Sequence, residues 1–143
     1  MITKELWVAS DHAGFELKSH LIKSLDSIKW NDLGPETADR VDYPDFADKL
    51  VQTMPKDGFG VLVCGSGQGM AMRANKHDHI RAALCWTTEV AELSRQHNNA
   101  NILCMGERLI EPGLAVEILN TFLTTEFEGG RHAARVEKIG KEV

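Results

Sequence analysis

The chain has 143 residues, of which 43% are hydrophobic and 26% are charged, and these proportions fit one globular domain with a real core. Its formal net charge of −5 argues against nucleic acid as the main partner, because a phosphate backbone calls for a basic face. No apolar run approaches the roughly 18 residues of a membrane span, and the N-terminus lacks the pattern of a secretory signal. We therefore predict a single cytoplasmic domain, residues 1–143, that engages neither membrane nor nucleic acid.

Short apolar runs alternate with helical patterns along the chain. The runs predicted as strands are, in order, Leu6–Ala9, Ile28–Leu33, Phe59–Cys64, Ile80–Cys85 and Asn101–Met105. Three stripes of residues at helical spacing lie between or after them: Leu17, Leu21, Leu25 and Ile28; Val90, Leu93 and His97; Leu114, Ile118 and Phe122. The segment from Gly34 to Pro44 predicts a loop. Short strands that alternate with helices indicate an α/β fold, with a parallel sheet covered by helices on both faces.

The turn after the third predicted strand is the strongest candidate for a ligand site, because ligands bind at the carboxyl ends of such strands. Its sequence is Cys64-Gly65-Ser66-Gly67-Gln68-Gly69. Glycine lets the backbone come close to a ligand and point successive N–H groups at it, which favours an anion or a developing oxyanion. A tight strand-to-helix turn alone needs about one glycine, so three glycines favour a ligand site.

Cys64 stands at the head of this turn. A cysteine at the end of an apolar run is more often structural, and we interpret Cys85 and Cys104 in that way. A helix N-terminus, however, stabilises a thiolate, which makes Cys64 a usable base or nucleophile. The three cysteines include no C-x-x-C pair, so we expect free thiols rather than metal ligands or disulfides.

The residues after the turn exclude three familiar phosphate sites. No Lys-Ser or Lys-Thr pair follows, as a nucleotide-binding P-loop requires. The spacing G-x-G-x-G differs from the dinucleotide fingerprint G-x-G-x-x-G. A thiol phosphatase needs an arginine six positions after its cysteine, where Met70 stands, and the first arginine is Arg73.

Asp11 and His12 follow the first predicted strand, at the same edge of the sheet as Cys64. An acid beside a histidine can exchange protons with a sugar hydroxyl or ring oxygen. The alternative is that Asp11 caps the next helix. The residues alone do not separate these two roles.

His97 shares a helical stripe with Val90 and Leu93, so a core histidine is one interpretation. Its helix starts near Thr88, at the carboxyl edge of the sheet, and runs back along it. About ten residues with a rise of about 1.5 Å each place His97 about 15 Å from that edge. If His97 and Cys64 are both catalytic, the site is shared between subunits, and a symmetric dimer completes two such sites.

Arg131 and Arg135 are four positions apart, on one face if the tail is helical. Two adjacent guanidinium groups suit a phosphate, although surface arginines are more often solvated. The run His77-Asp78-His79 could suggest a metal, but it precedes a strand and lies away from the ligand edge. We expect no metal site.

These residues belong to a longer ordered set of motifs: Ser10-Asp11-His12-Ala13-Gly14-Phe15, Asp42-Tyr43-Pro44, Cys64-Gly65-Ser66-Gly67-Gln68-Gly69, Ala74-Asn75-Lys76, Ser94-Arg95-Gln96-His97-Asn98, Gly106-Glu107-Arg108 and Glu128-Gly129-Gly130-Arg131-His132. The set spans nearly the whole chain and resembles ribose-5-phosphate isomerase type B, a family that also includes galactose-6-phosphate isomerase subunits. The resemblance implies a Rossmann-like three-layer α/β/α domain and no metal or organic cofactor. It also implies a homodimer, or a dimer of dimers, with sites between subunits and with residues 126–143 against the partner.

The resemblance further implies interconversion of D-ribose 5-phosphate and D-ribulose 5-phosphate. Cys64 would take the C2 proton and leave an enediolate, and Ser66 would position the reacting oxygens. Asp11 and His97 would assist ring opening and proton return. The remaining implied contacts are the oxyanion N–H groups of Gly65, Gly67, Gln68 and Gly69, the phosphate ligands His12, Arg108, Arg131 and Arg135, and the sugar contacts Tyr43 and Asn98.

One branch of the family places a glutamate base at the position of Met70, so this sequence resembles the cysteine branch. Two alternatives remain open. The first is an isomerase of a six-carbon sugar phosphate, allose or galactose 6-phosphate, although the set Asp11, Cys64 and His97 with paired arginines favours a self-sufficient homodimer. The second is a non-enzymatic module that binds phosphosugars.

Overall fold

Five parallel strands form one sheet in the computed structural model, which describes residues 1–143. The strands are, in chain order, β1 (Glu5–Ser10), β2 (Lys29–Asp32), β3 (Gly60–Cys64), β4 (Ala82–Leu84) and β5 (Ile102–Gly106). They lie side by side in the order β2-β1-β3-β5-β4. Every adjacent pair is parallel, as the alternation of apolar runs and helical patterns predicts.

Helices cover both faces of the sheet. They are α1 (Phe15–Ser24), α2 (Tyr43–Thr53), α3 (Gln68–Ala74), α4 (Thr88–Asn98), α5 (Pro112–Thr124) and α6 (Ala133–Ile139), the last preceded by a 3-10 turn at Gly130–His132. The apolar faces of α1, α4 and α5 pack with one side of the sheet, and those of α2 and α3 with the other. The predicted three-layer α/β/α architecture is confirmed. None of these helices has both the length and the apolar character that crossing a bilayer requires.

β3 is the central strand, and all of its residues are buried. Because side chains alternate between the faces of a strand, Val61 and Val63 join the layer of α1, α4 and α5, whereas Leu62 and Cys64 join that of α2 and α3. Full burial of an aliphatic side chain of this size stabilises the fold by about 1.5–3 kcal/mol. This burial sets the register of β3, and with it the point at which Cys64 leaves the sheet.

Two predicted elements are longer than the structure shows. α1 ends at Ser24, so Ile28 lies in the turn before β2 rather than on the stripe of α1. The predicted strand Ile80–Cys85 shortens to β4, because the backbone N–H of Arg81 donates to the side chain of Asn101, at 2.8 Å, instead of to a strand carbonyl.

The loop predicted from Gly34 to Pro44 is irregular until α2 begins at Tyr43. A lysine from the core holds its start. Lys18 is 1% exposed, and its Nζ donates to Asp32 Oδ1 and to the carbonyl of Pro35, both at 2.8 Å. The buried ammonium has a carboxylate beside it, as a buried charge requires. These bonds set the position from which the loop reaches the start of α2.

The stripe predicted for α4 is wrong about the buried face of that helix. Leu93 is 40% exposed, and the side chain of His97 is 39% exposed. The buried residues of α4 are Ala91, Ser94 and Arg95. His97 is therefore not a core histidine.

Arg95 replaces an apolar side chain in the core and explains the error. Its guanidinium carbon lies 5.2 Å from the ring centroid of Phe59 and 5.6 Å from that of Phe122. Its nitrogens donate to the carbonyls of Ala100, at 2.6 Å, and Thr125, at 3.1 Å. Aromatic faces and carbonyls stabilise the buried cation, so the C-terminal end of α4 is tied to the segment after α5.

Asp48 on α2 joins this helix to α3 and the turn that follows it. Arg73 donates to its two carboxylate oxygens at 2.9 and 2.7 Å, and His77 Nε2 lies 3.0 Å from Oδ1. The hydrogen bond from Arg73, and then that from His77, lower the pKa of Asp48 from 3.8 to about 2. Because the pKa is depressed in the folded state, the carboxylate stabilises the fold above about pH 4 and loses this effect as the pH falls toward about 2.

Asp48→Asn is expected to lower the free energy of unfolding by about 1 kcal/mol at neutral pH, a modest loss because Arg73 is half exposed and solvent screens the pair. Urea unfolding over a pH series should show the difference from wild type shrinking as the pH falls below about 4. As a control, Glu137→Gln removes an exposed carboxylate 3.7 Å from Lys141 and should cost less than about 0.5 kcal/mol. A loss in Asp48→Asn that is constant with pH would contradict this role.

Candidate active site

A cleft of about 360 Å³ opens at the carboxyl edge of the sheet. This volume suits a small molecule rather than a macromolecule. Residues that follow β1, β3 and β5 line it, together with the first residue of α2. The lining residues are Asp11, His12, Ala13, Tyr43, Cys64, Gly65, Ser66, Gly69, Arg108 and Leu109.

The thiol of Cys64 lies at the base of this cleft and is 5% exposed. The backbone N–H of Gly67 donates to its Sγ at 3.2 Å. This contact holds the sulfur beside the cleft, and a thiolate there is a usable base or nucleophile. Cys64 can therefore act as a base or a nucleophile toward a molecule in the cleft.

The other two cysteines are core residues, as predicted. Both are free and buried on β5 or at the end of β4. Burial raises the pKa of Cys85 to about 11 and that of Cys104 well above its usual value. Neither side chain lines the cleft, so Cys64 is the one thiol of the chain that a ligand there can meet.

At each glycine of the turn, a side chain is excluded for a different steric reason. Gly67 has a φ of +77°, and a Cβ on it would lie 2.8 Å from the carbonyl carbon of Met105. A Cβ on Gly65 would lie 3.0 Å from a guanidinium nitrogen of Arg108, and one on Gly69 would overlap the ring of Tyr43. Two of the glycines therefore make room for side chains that line the cleft, and the third allows the backbone to turn into α3.

Ser66, Gly67 and Gln68 form the top of the turn. Ser66 lines the cleft, and its Oγ accepts a long hydrogen bond of 3.4 Å from the N–H of Gln68. Gly67 and Gln68 are part of the turn but do not line the cleft. The N–H groups of the first turn of α3 have no partner inside the helix, which leaves donors beside the cleft.

Asp11 and His12 occupy the cleft wall after β1. Asp11 is 6% exposed, and its Oδ1 accepts from the N–H of Gly14 at 3.0 Å, so it caps the turn before α1 and also lines the cleft. His12 Nδ1 lies 3.3 Å from the backbone nitrogen of Val41 and 3.2 Å from its carbonyl oxygen. Val41 can therefore bind this nitrogen whether or not it carries a proton, which holds the ring in place.

Arg108 extends across the turn from the end of β5. Its backbone N–H donates to the carbonyl of Gly65 at 3.0 Å, and the N–H of Glu107 donates to that of Cys64 at 2.9 Å. The carboxylate of Glu107 accepts from the N–H of Leu17 at 2.6 Å, which anchors the segment to α1. Arg108 forms no ion pair within the chain, so its guanidinium is available to an anion.

The remaining predicted site residues form a separate group at the amino ends of the strands, the edge of the sheet far from the cleft. α4 begins after the carboxyl end of β4 and ends where β5 begins, so His97 and Asn98 lie opposite the edge that carries Cys64. Arg131 and Arg135 lie on the segment that crosses the end of α4, since His97 stacks on the adjacent ring of His132. None of these four lines the cleft. The far-edge group is thus separated from Cys64, as the length of α4 predicts.

Sequence reasoning missed Ala13, Leu109 and the anchor Glu107. Leu109 is 66% exposed and follows Arg108 at the mouth of the cleft. The motif Gly106-Glu107-Arg108 was the available signal, but no local pattern states that a carboxylate will bind a helix 90 residues away.

The chain is similar in sequence to known proteins. The family model described as Ribose/Galactose Isomerase matches residues 6–139 of the chain. A probable ribose-5-phosphate isomerase B from Mycoplasma pneumoniae is 47% identical over 139 residues, which are 94% of this chain and 91% of that protein. The ribose-5-phosphate isomerase B of Escherichia coli is 38% identical over 141 residues, 95% of this chain and 94% of that protein.

Solved structures of proteins with the same name have the same fold. The structure of ribose 5-phosphate isomerase B from Anaplasma phagocytophilum superposes with a TM-score of 0.93 at 47% identity, covering 97% of this chain and 98% of that one. That of Thermotoga maritima superposes with a TM-score of 0.92 at 47% identity, covering 95% and 97%. The resemblance found in the motifs is confirmed: this chain belongs to the ribose/galactose isomerase family and is an isomerase.

Proposed function

We propose that the chain interconverts D-ribose 5-phosphate and D-ribulose 5-phosphate, with Cys64 as the base. The observation that carries the proposal is the Cys64 thiol, which receives the Gly67 N–H at the base of a small cleft that also holds the unpaired guanidinium of Arg108. A thiolate base and a cation for the phosphate are the two groups that this reaction needs most. The relatives from M. pneumoniae and E. coli carry the name of this activity.

The reaction moves hydrogen between two neighbouring carbons. The Cys64 thiolate takes the proton from C2 of the open-chain aldose, and the C2–H electron pair forms the C1–C2 double bond of an enediolate. The negative oxygen at C1 meets backbone N–H groups of the turn from Gly65 to Gly69, other than that of Gly67, which donates to the sulfur, and Ser66 lies beside it. The thiol returns the proton to C1, and the hydroxyl proton of O2 passes to O1, which leaves the ketose. No atom is gained or lost.

The phosphate end of the sugar binds across the cleft from the thiol. His12, whose ring Val41 holds, and Arg108, which is packed on Gly65, supply the cationic and donor groups. Tyr43, packed on Gly69, contacts the sugar between them. Fixed binding of the phosphate positions C2 near the sulfur, because it converts an encounter into an oriented contact.

A second copy of the chain completes the site. The cleft lacks the proton donor and the paired arginines of the far-edge group, His97, Asn98, Arg131 and Arg135, and one chain cannot bring the two groups together. In a two-fold dimer each copy presents its far edge, with residues 126–143, to the cleft of the other, and two complete sites result. Asp11 from one copy and His97 from the other then assist ring opening.

A substrate panel tests the activity itself. The purified protein is expected to turn over ribose 5-phosphate with a kcat/KM at least about tenfold above that for allose 6-phosphate or galactose 6-phosphate, because one fixed phosphate site cannot place C2 of both a five-carbon and a six-carbon chain equally well at the thiol. Coupled or NMR assays with each sugar phosphate measure the rates. Turnover of hexose phosphates alone would assign the chain to the six-carbon alternative, and binding without turnover would refute the enzymatic proposal.

Cys64→Ala is expected to lower kcat by a factor of about a thousand or more and to abolish exchange of the C2 proton with solvent, while ribose 5-phosphate still binds. Deuterium incorporation from heavy water, followed by NMR, and calorimetric binding measure the two effects. Cys85→Ala, at a buried thiol away from the cleft, is the matched control and should keep kcat within about twofold. Normal deuterium entry in Cys64→Ala would show that another group is the base.

Mixing Cys64→Ala chains with His97→Ala chains tests the shared site. A mixed dimer has one site with both substitutions and one with neither. Random exchange makes about half of the dimers mixed, so about a quarter of wild-type activity should return. Mass spectrometry verifies the mixed species, and no recovery in verified mixed dimers would contradict the assignment of Cys64 and His97 to one composite site.

A further inference from the structure

His97 of the far-edge group converges with two side chains outside that group, Glu128 and His132. The rings of His97 and His132 stack with centroids 4.3 Å apart and planes 15° from parallel. His97 Nε2 lies 3.8 Å from Glu128 Oε1. His132 is 7% exposed, whereas the side chain of His97 is 39% exposed. One face and one nitrogen of the His97 ring are therefore covered by its own chain, and the rest of the ring is open.

Backbone hydrogen bonds hold this cluster against the end of α4. The N–H of Glu128 donates to the carbonyl of Gln96 at 3.1 Å, and the N–H of His132 donates to that of Gly129 at 3.0 Å. Arg95, from inside the core, reaches the same segment through the carbonyl of Thr125. The stacked ring and the carboxylate are thus fixed relative to His97 by the fold, not by the side chains alone.

The charges around the two rings differ. Burial, and then the neighbouring His97 and Arg131, lower the pKa of His132, with Arg135 acting in the same direction and Glu128 opposing it. A lower pKa favours the neutral form of this ring. Nε2 of His97 faces the carboxylate of Glu128, whereas the charged neighbours of His132 include the guanidinium groups of Arg131 and Arg135.

The same three side chains do not form a good metal site. Their nearest ligand atoms lie within 4.8 Å of one another. Tetrahedral zinc, with bonds of about 2.0–2.1 Å, needs donors about 3.4 Å apart that point at a common centre. Nearly parallel rings direct their nitrogens in parallel rather than toward one point, and Arg131 and Arg135 repel a cation.

We propose that His132 and Glu128 are positioning residues that hold the imidazole of His97 in the orientation in which it exchanges protons with the sugar phosphate. The proposal rests on the role of His97 in the proposed function. His132 supports the face of the ring, and Glu128 faces Nε2, which leaves the second ring nitrogen for the substrate. Neither residue touches the reacting atoms.

Two substitutions of His132 test whether a flat ring stacked on His97 is needed for the reaction. His132→Ala removes the stacked face and is expected to lower kcat about tenfold while KM for ribose 5-phosphate stays within about twofold. His132→Phe restores a flat, uncharged face and should keep kcat within about threefold of wild type. Wild-type kcat in His132→Ala, or an equal loss in a folded His132→Phe, overturns the proposal. His132→Asn replaces His132→Ala if the latter does not fold.

NMR of the protein without substrate tests whether His132 stacks on His97, independently of any turnover. The ring protons of His97 carry the ring-current shift of the stacked neighbour, which His132→Phe should preserve and His132→Ala should abolish. Unchanged His97 resonances in His132→Ala would show that the two rings do not stack and would overturn the proposal. Altered resonances with wild-type kcat show that the stacking does not matter for the reaction and overturn the proposal, whereas the role of His97 in the proposed function is tested separately by the mixed dimers. His20→Ala, at an exposed histidine of α1, is the control and should change neither measurement.

Discussion

All five strands run in the same direction, so every connection must return across the sheet before the next strand begins. This constraint separates the ends of strands from the ends of helices. Asp11, Cys64 and Arg108 lie at or just after the carboxyl ends of strands and meet in one cleft, whereas His97 lies in the last turn of a helix at the opposite edge. A reaction that uses both groups therefore requires two copies of the chain, and the proposed composite site follows from the topology rather than from any single contact.

The close packing of two side chains on the glycines of the turn after β3 gives the cleft its shape. Gly65 and Gly69 carry no side chain, and the space is taken by Arg108 and by the ring of Tyr43. The same turn directs the N–H of Gly67 at the Cys64 sulfur. In the proposed function, phosphate binding, sugar contact and the position of the base are therefore coupled, because one backbone conformation places all three. A side chain added at any of these glycines would disturb more than the backbone.

At the far edge, the proposed orientation of His97 depends on the buried His132 that stacks on it. Burial and the neighbouring charges lower the pKa of His132, and His97 keeps its partly exposed ring beside the carboxylate of Glu128. The buried Arg95 makes this possible, since it ties α4 to the segment that carries both partners. The core of this layer thus serves the proposed chemistry as well as stability.

The sequence by itself determined the order of strands and helices, the parallel sheet, the cleft edge and the separation of His97 from Cys64, because apolar periodicity and helix rise are local properties. It assigned the wrong buried face to α4, since no local pattern predicts that Arg95 will lie between Phe59 and Phe122. Only the tertiary structure decided that Glu107 anchors α1 and that His97, Glu128 and His132 converge. Those contacts join segments far apart in the chain, and their geometry exists only once the layers have packed.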